Sequence, residues 1–176
     1  MIDTAATFLF ADIAGFTALT EAHGDEAALE LVAAFSGAVD SRLPGIAGEH
    51  VKTIGDAVMA TFPTPDRALA AALRMRNAMP GIKDSSGTEE LLLKIGIHEG
   101  PCLAVTLNDR LDYFGQTVNI AARVQGLAMS SSIFATGSVV QHPISSKLLV
   151  TEGLTPEAQR AALRGIADEV TVYEIP

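Results

Sequence analysis

A chain of 176 residues is long enough for one domain with a sizeable core and too short for two ordinary ones. Its 48% hydrophobic content and mean hydropathy of +0.30 come mostly from Ala, Leu, Val and Ile, yet no apolar run approaches the roughly 20 residues of a membrane span, and the N-terminus MIDTAATFLFADIAGF lacks the basic start of a secretory signal. A formal charge of −9 argues against a general nucleic-acid or anionic-membrane binder, and the lone Cys102 excludes an internal disulfide and fits a reducing cytoplasm.

In chain order, TFLFAD (Thr7 to Asp12) reads as a short strand, followed by Gly15 and a helical pattern. From Gly24 to Arg42 the apolar residues Ala28, Leu31, Val32, Phe35 and Val39 recur at spacings of three and four and line one helix face. VKTIGDAVMATF then reads as a β-hairpin, Val51 to Ile54 and Ala57 to Phe62, joined by Gly55 and Asp56. A Gly-first two-residue connection suits a type II′ turn, because Gly reaches φ > 0 without steric cost. The next helix has Thr64 as N-cap, Pro65 at its first position and Pro80 with Gly81 as a stop. Residues 80 to 90 form a polar connection. LLLKIGIHEGPCLAVTL predicts two strands around a Glu-Gly-Pro turn, and QTVNIAARVQGLA another helix. Later strands are predicted at SSIFATG and EVTVYEI, with a further one near Leu148. The opening order β-α-β-β-α-β spells the ferredoxin-like split βαβ unit. The predicted fold is therefore α+β, a ferredoxin-like βαββαβ core with additional strands and helices, in a single domain over residues 1 to 176.

Asp12 falls where the first strand leaves the sheet, and Asp56 at the hairpin tip. In a ferredoxin-like sheet those strands are neighbours, so the two carboxylates can meet at one sheet edge. Such a pair suits a hard divalent cation that keeps its other positions for water and substrate phosphates, which is the setting of metal-assisted phosphoryl transfer. Taken singly, Asp12 could simply cap a helix and Asp56 serve a turn. Further on, a helix starting near Thr117 puts Asn119 and Arg123 four apart on one face, an amide and a guanidinium able to reach one ligand, with Asp112 in the loop before them. Arg matches phosphate oxygens and the charge of a phosphoryl-transfer transition state. Each of these three is also an ordinary surface residue; their joint pattern is what carries the argument.

FLFADIAGFT, VKTIGDAVMATF, KIGIHEGP and DYFGQTVNIAARV occur in the order and approximate spacing of the class III nucleotidyl cyclase catalytic domain, and LRGIADEVTVYEI resembles that domain's closing segment. The resemblance runs from Phe8 to Ile175 and is thin over 80 to 90 and 137 to 162. It implies that Asp12 and Asp56, with Ile13 beside them, hold two divalent ions, Mg²⁺ or Mn²⁺. It further implies that Lys52 donates to ring N1 of adenine while Asp112 accepts from its 6-amino group, that Asn119 orients the ribose, and that Arg123 stabilises charge at the α-phosphate. Arg164 matches, more weakly, a position that contacts the outer phosphates. The turn with Gly15, Phe16 and Thr17 would offer backbone N–H groups to the triphosphate at a helix start.

The implied reaction is attack of the 3′-hydroxyl of ATP on its own α-phosphate, giving 3′,5′-cyclic AMP and pyrophosphate, in a homodimer whose sites are shared between two copies. A cyclase acting on guanine or a pyrimidine nucleotide is the nearest alternative, and a catalytically silent nucleotide-binding or pairing module the next. A diguanylate-forming relative is disfavoured, because the GG-D/E-EF run is missing. The sequence offers no convincing protein nucleophile. Cys102 reads as a small buried apolar residue, and His23, His50, His98 and His142 lack metal-ligand spacing. With eleven residues ahead of Asp12, no sensor domain is expected before the catalytic one, so regulation is expected from an ion, expression level or an unidentified partner.

Overall fold

The computed structural model describes residues 2–40, 48–54, 57–78, 93–129 and 132–176. Its first strand, β1 (Ile2–Ile13), is buried on both faces from Ala6 to Ala11, which is why that stretch is a continuous apolar run rather than an alternating one. A turn at Ala14 and Gly15, the latter at φ 74°, leads into α1 (Phe16–Asp40). α1 is broken at Gly24, φ 87° and ψ 172°, so the predicted start at Gly24 marks the second of two helical stretches. On the predicted apolar face Ala28 is buried and Val32 half-buried; the side chains of Leu31, Phe35 and Val39, like Arg42, lie outside the described residues.

Strands β2 (Glu49–Ile54) and β3 (Ala57–Phe62) pair antiparallel, with Ile54 opposite Ala57 as the last pair. The connection is thus two residues long, as predicted, although Gly55 and Asp56 lie outside the described residues. α2 (Pro65–Ala78) begins at the expected proline; the stop at Pro80 and Gly81 and the polar connection over 80 to 90 also fall outside.

The next segment differs from expectation. β4 (Leu93–Leu107) is one uninterrupted strand through Glu99, Gly100 and Pro101, and the reversal comes at Asn108 and Asp109, with φ 51° and 61°. Two successive positive φ values are the type I′ pattern that a right-twisted two-residue hairpin requires, and Asn and Asp tolerate them better than most residues. The return strand is β5 (Arg110–Phe114). Asp112 therefore stands on a strand rather than in a loop. After α3 (Gln116–Leu127) come β6 (Ile133–Thr136), α4 (Gly137–Val140), α5 (Pro143–Thr151), β7 (Glu157–Ala161) and β8 (Val170–Ile175). The strand expected near Leu148 is helix α5, opened by Pro143 at its first turn.

The described residues form an eight-stranded sheet in the order β2-β3-β1-β4-β6-β8-β7, with β5 paired to the outer part of β4. The block β2-β3-β1-β4 is the predicted ferredoxin-like core. Only β4 and β6 run parallel, joined by the crossover through α3. Under one face, Leu9, Ala11, Val58, Ala60, Ile95 and Ile97 pack against α2, α4 and α5 through residues such as Leu69, Leu73, Val139 and Leu149. On the other face Ala6, Phe8, Phe10 and Met59 meet Ala121 of α3 and Cys102. A third cluster joins Val124 of α3 and Ala128, just past its end, to Phe134, Leu163 and Val172. No helix among the described residues is long and apolar enough to cross a membrane.

Candidate active site

Asp12 is the penultimate residue of β1, half-buried, opposite Lys94 of β4. On its other side Ala11 pairs with Val58, so the start of β3, and with it the hairpin turn, is level with the end of β1. Asp56, expected beside Asp12, lies outside the described residues. Ile13 closes β1 and is buried, leaving its main-chain carbonyl as its only oxygen. Among the described residues no group of three His, Cys, Asp or Glu side chains could hold a metal. The half-buried Asp12 carboxylate and the neighbouring Ile13 carbonyl are hard oxygen donors of the kind Mg²⁺ or Mn²⁺ takes. Directly after it, Phe16 and Thr17 open α1, where helical N–H groups have no partner within the helix. The Phe16 ring packs against the core and Thr17 is exposed.

Lys52 and Asp112 meet in the same chain. The Lys52 ammonium donates to both carboxylate oxygens of Asp112 at 3.2 Å, with the side chains 41% and 25% exposed. Oδ1 of Asp112 also accepts the Tyr113 backbone N–H at 2.8 Å. Strand register alone would not bring them together. Lys52 lies opposite Met59, which lies opposite Phe10, whereas Asp112 lies opposite Val105, beyond the Ile2 end of β1. In a flat sheet that offset is about 30 Å along the strands, at 3.3 to 3.4 Å per residue. The contact requires the outer part of β4, with β5, to curl back over the face that carries Phe8 and Phe10. The edge-to-face contact of Phe8 with Tyr113, ring centroids 5.4 Å apart at 76°, fixes that curl. A β-bulge in β2 between His50 and Lys52 adds local twist just before the lysine.

One residue beyond β5, α3 buries Thr117, Ala121 and Val124 and leaves Asn119 and Arg123 exposed, one helical turn apart. Both therefore stand on the side of the helix facing away from the sheet. Arg164 is exposed in a tight turn, where the Ile166 N–H donates to the Leu163 carbonyl and Gly165 has φ 81°; buried Leu163 docks this turn on Val124 of α3 and on Ala128 just beyond it.

The model of the adenylate and guanylate cyclase catalytic domain family matches residues 3–172. The chain belongs to this family. An adenylate cyclase of Streptomyces griseus is 34% identical over 164 residues, covering 92% of this chain and 37% of its own length. The chain spans between 6% and 37% of the length of the curated relatives it matches. Among solved structures, the guanylate cyclase domain of RhGC from Catenaria anguillulae in complex with GTP superposes with a TM-score of 0.85 at 21% identity, covering 100% of this chain and 98% of that one. The adenylyl cyclase CyaB from P. aeruginosa gives 0.78 at 22% identity, with 100% and 96% covered. Both show the class III cyclase fold.

Within this cyclase domain burial shifts two further groups, His98 and Cys102. Nδ1 of His98 lies 2.6 Å from the Thr136 hydroxyl, and burial pushes its pKa down to about 4, so the imidazole is neutral at pH 7. Cys102 is buried and its thiol pKa is raised by that burial. Sequence reasoning missed Tyr113, which braces Asp112 through its N–H and Phe8 through its ring, and Thr117, whose hydroxyl donates to the Pro101 carbonyl at 2.5 Å. The signal for Tyr113 lay in RLDYF, where Leu111 and Tyr113 alternate with the charged Arg110 and Asp112 as in a strand.

Proposed function

We propose that this cyclase domain is an adenylate cyclase, converting ATP to 3′,5′-cyclic AMP and pyrophosphate. The observation that carries this reading is the Lys52–Asp112 pair, a donor and an acceptor held side by side at 3.2 Å. Adenine offers the complementary edge: N1 accepts from the Lys52 ammonium and the 6-amino group donates to Asp112. Since Tyr113 already donates to Oδ1, Oδ2 is the oxygen with capacity for the amino group. Guanine reverses both polarities and would leave the pair unsatisfied, a penalty that hydrogen-bonding sites convert into large discrimination. The adenylate cyclase of S. griseus, at 34% identity, supports the same choice.

Asn119 orients the ribose and Arg123 neutralises the charge that builds at the α-phosphate, so the protein's contribution is positioning and electrostatic stabilisation. The N–H groups of Gly15, Phe16 and Thr17 and the Arg164 guanidinium hold the outer phosphates. Asp12, Asp56 and the Ile13 carbonyl hold two Mg²⁺ or Mn²⁺ ions, which when bound activate the 3′-hydroxyl and stabilise the departing pyrophosphate.

The site is shared across a homodimer. Asp12 has the strand parity of Phe8 and Phe10, on the face that α3 covers, while Asn119 and Arg123 lie on the outer side of that helix, which is about 10 Å across. One copy does not bring these groups around one triphosphate; a two-fold pair supplies Asp12 and Asp56 from one copy and Lys52, Asp112, Asn119 and Arg123 from the other. The domain works in the cytoplasm, as its single unpaired cysteine suggests.

The test is purified protein with Mg²⁺ or Mn²⁺ and each of the four nucleoside triphosphates, products resolved by chromatography. Cyclic AMP from ATP is expected. Comparable kcat/KM for GTP refutes the adenine assignment, and no cyclic product from any nucleotide refutes the cyclase reading.

A further inference from the structure

α3 lies closer to the sheet than side chains allow. On β4, Gly96 pairs with Phe10 and Gly100 with Ala6, so both face the helix; Gly96 lies under Gln125 and Gly100 under Thr117. Four residues of strand span about 13 Å and eight of helix about 12 Å. The two contacts are therefore commensurate, and α3 is seated at two points, running antiparallel to β4.

The seats differ in kind. A Cβ on Gly96 would lie 2.1 Å from the backbone nitrogen and 2.4 Å from the Cα of Gln125, and backbone cannot rotate away. A Cβ on Gly100 would meet only the side chain of Thr117, Oγ1 at 2.8 Å and Cγ2 at 3.2 Å. By contrast, Gly126, on the same helix, has nothing within 4 Å of an added Cβ.

We propose that Gly96 is a positioning residue of the nucleotide site: the absence of a Cβ there sets the height of α3 above β4, and hence where Arg123 meets the substrate. This rests on the cyclase reading for the role of Arg123. Arg123 stands on the side of α3 opposite the seat and two residues from Gln125, so a helix pivoting on the Thr117 seat passes about three-quarters of any lift to it. Gly96→Ala requires a lift of about 1.3 Å at Gln125, the gap between 2.1 Å and ordinary contact at 3.4 Å. A misplacement of about 1 Å in a catalytic constellation lowers turnover on the order of a hundredfold. The base-reading pair is on β2 and β5, so recognition of adenine is spared.

The experiment combines kinetics, a double-mutant cycle and a crystal structure of Gly96→Ala. Expected are kcat lower by about a hundredfold, KM and the affinity for a non-hydrolysable ATP analogue within threefold of wild type, and α3 raised by more than 1 Å near Gln125. Arg123→Ala should have far less effect in the Gly96→Ala background than in wild type, and Gly126→Ala should leave kcat unchanged. Equal effects of Arg123→Ala in both backgrounds, or losses of kcat and affinity that track a loss of folded protein, make Gly96 merely structural and overturn the proposal. If Gly96→Ala does not fold, Gly100→Ala substitutes: its kcat should fall and recover when Thr117→Ala removes the clashing atoms, and no recovery refutes the seat. Absence of turnover in the wild type sinks the cyclase reading, whereas an unmoved α3 in the Gly96→Ala crystal structure sinks the seat alone.

Discussion

Replacing Lys52 by alanine separates recognition from stability. In the folded chain the ammonium bonds both oxygens of Asp112 at 3.2 Å, but the two side chains are 41% and 25% exposed, so solvent screens the pair and its contribution to folding is at most about 1 kcal/mol. Asp112 is not stranded by the change, because Oδ1 keeps the Tyr113 N–H at 2.8 Å. For a domain of this size, about 1 kcal/mol corresponds to a Tm shift of about 2 to 4 °C. The effect on ATP is larger. A hydrogen bond from a charged donor to the base, lost inside a closed pocket, is worth about 1.5 to 3 kcal/mol, which is about 10- to 100-fold in kcat/KM. Steady-state cyclase assays on ATP, paired with thermal unfolding of the same preparations, read both quantities. ATP turnover within threefold of wild type would show that Lys52 does not read the base. A drop in Tm of 10 °C or more would instead show that the pair is a structural clamp and that the screening argument is wrong.

Other outcomes follow from the same geometry. Asp12→Ala and Asp56→Ala should each abolish turnover with the fold intact by circular dichroism, and near-normal rates in excess Mn²⁺ would remove the metal assignment. Asp56→Ala and Arg123→Ala should be inactive as separate homodimers yet regain about a quarter of wild-type activity when mixed with free exchange, since both lesions then fall in one site of the mixed dimer; differently tagged chains that exchange without recovery exclude the shared site. His98 holds its pKa near 4, below the usual 6.5, because burial penalises the charged ring. Its stabilising effect is thus complete above pH 6.5 and is lost as pH falls from there towards 4, in total on the order of 3 kcal/mol. His98→Gln should flatten the Tm profile over that interval relative to wild type, and parallel profiles would contradict the assignment.

The parts legible in the sequence were those where local pattern and tertiary demand agree. The run through TFLFADI, the two-residue hairpin at 55–56 and Pro65 at a helix start each carry their own signal. The clustering of Lys52 with Asp112 does not: it depends on the curl of β4, set by contacts such as Phe8 with Tyr113, which no window of sequence displays. Glu99-Gly100-Pro101 looks like a turn because Gly and Pro usually mark one, but here the glycine makes room for Thr117 and the strand continues. EAQRA, strand β7, consists of good helix formers and is a strand only because β8 offers it an open edge. Around Leu148 the sequence has only the short apolar run Leu148 to Val150, a length at which helix and strand cannot be told apart.

The long pairing of β1 with β4 bears on how the protein is made. Its register runs from Ile2 opposite Ala104 to Ile13 opposite Leu93, so even the innermost pair is separated by 80 residues of chain. At about 5 to 20 residues per second, a ribosome that has delivered β1 needs roughly 4 to 16 s more before its partner exists. During that interval the two-sided apolar strand Ala6 to Ala11 has β3 to cover one edge and neither helical layer complete. The nascent chain is thus sticky for several seconds, and its yield in a cell depends on whatever shields that strand on the ribosome, well before any nucleotide is bound.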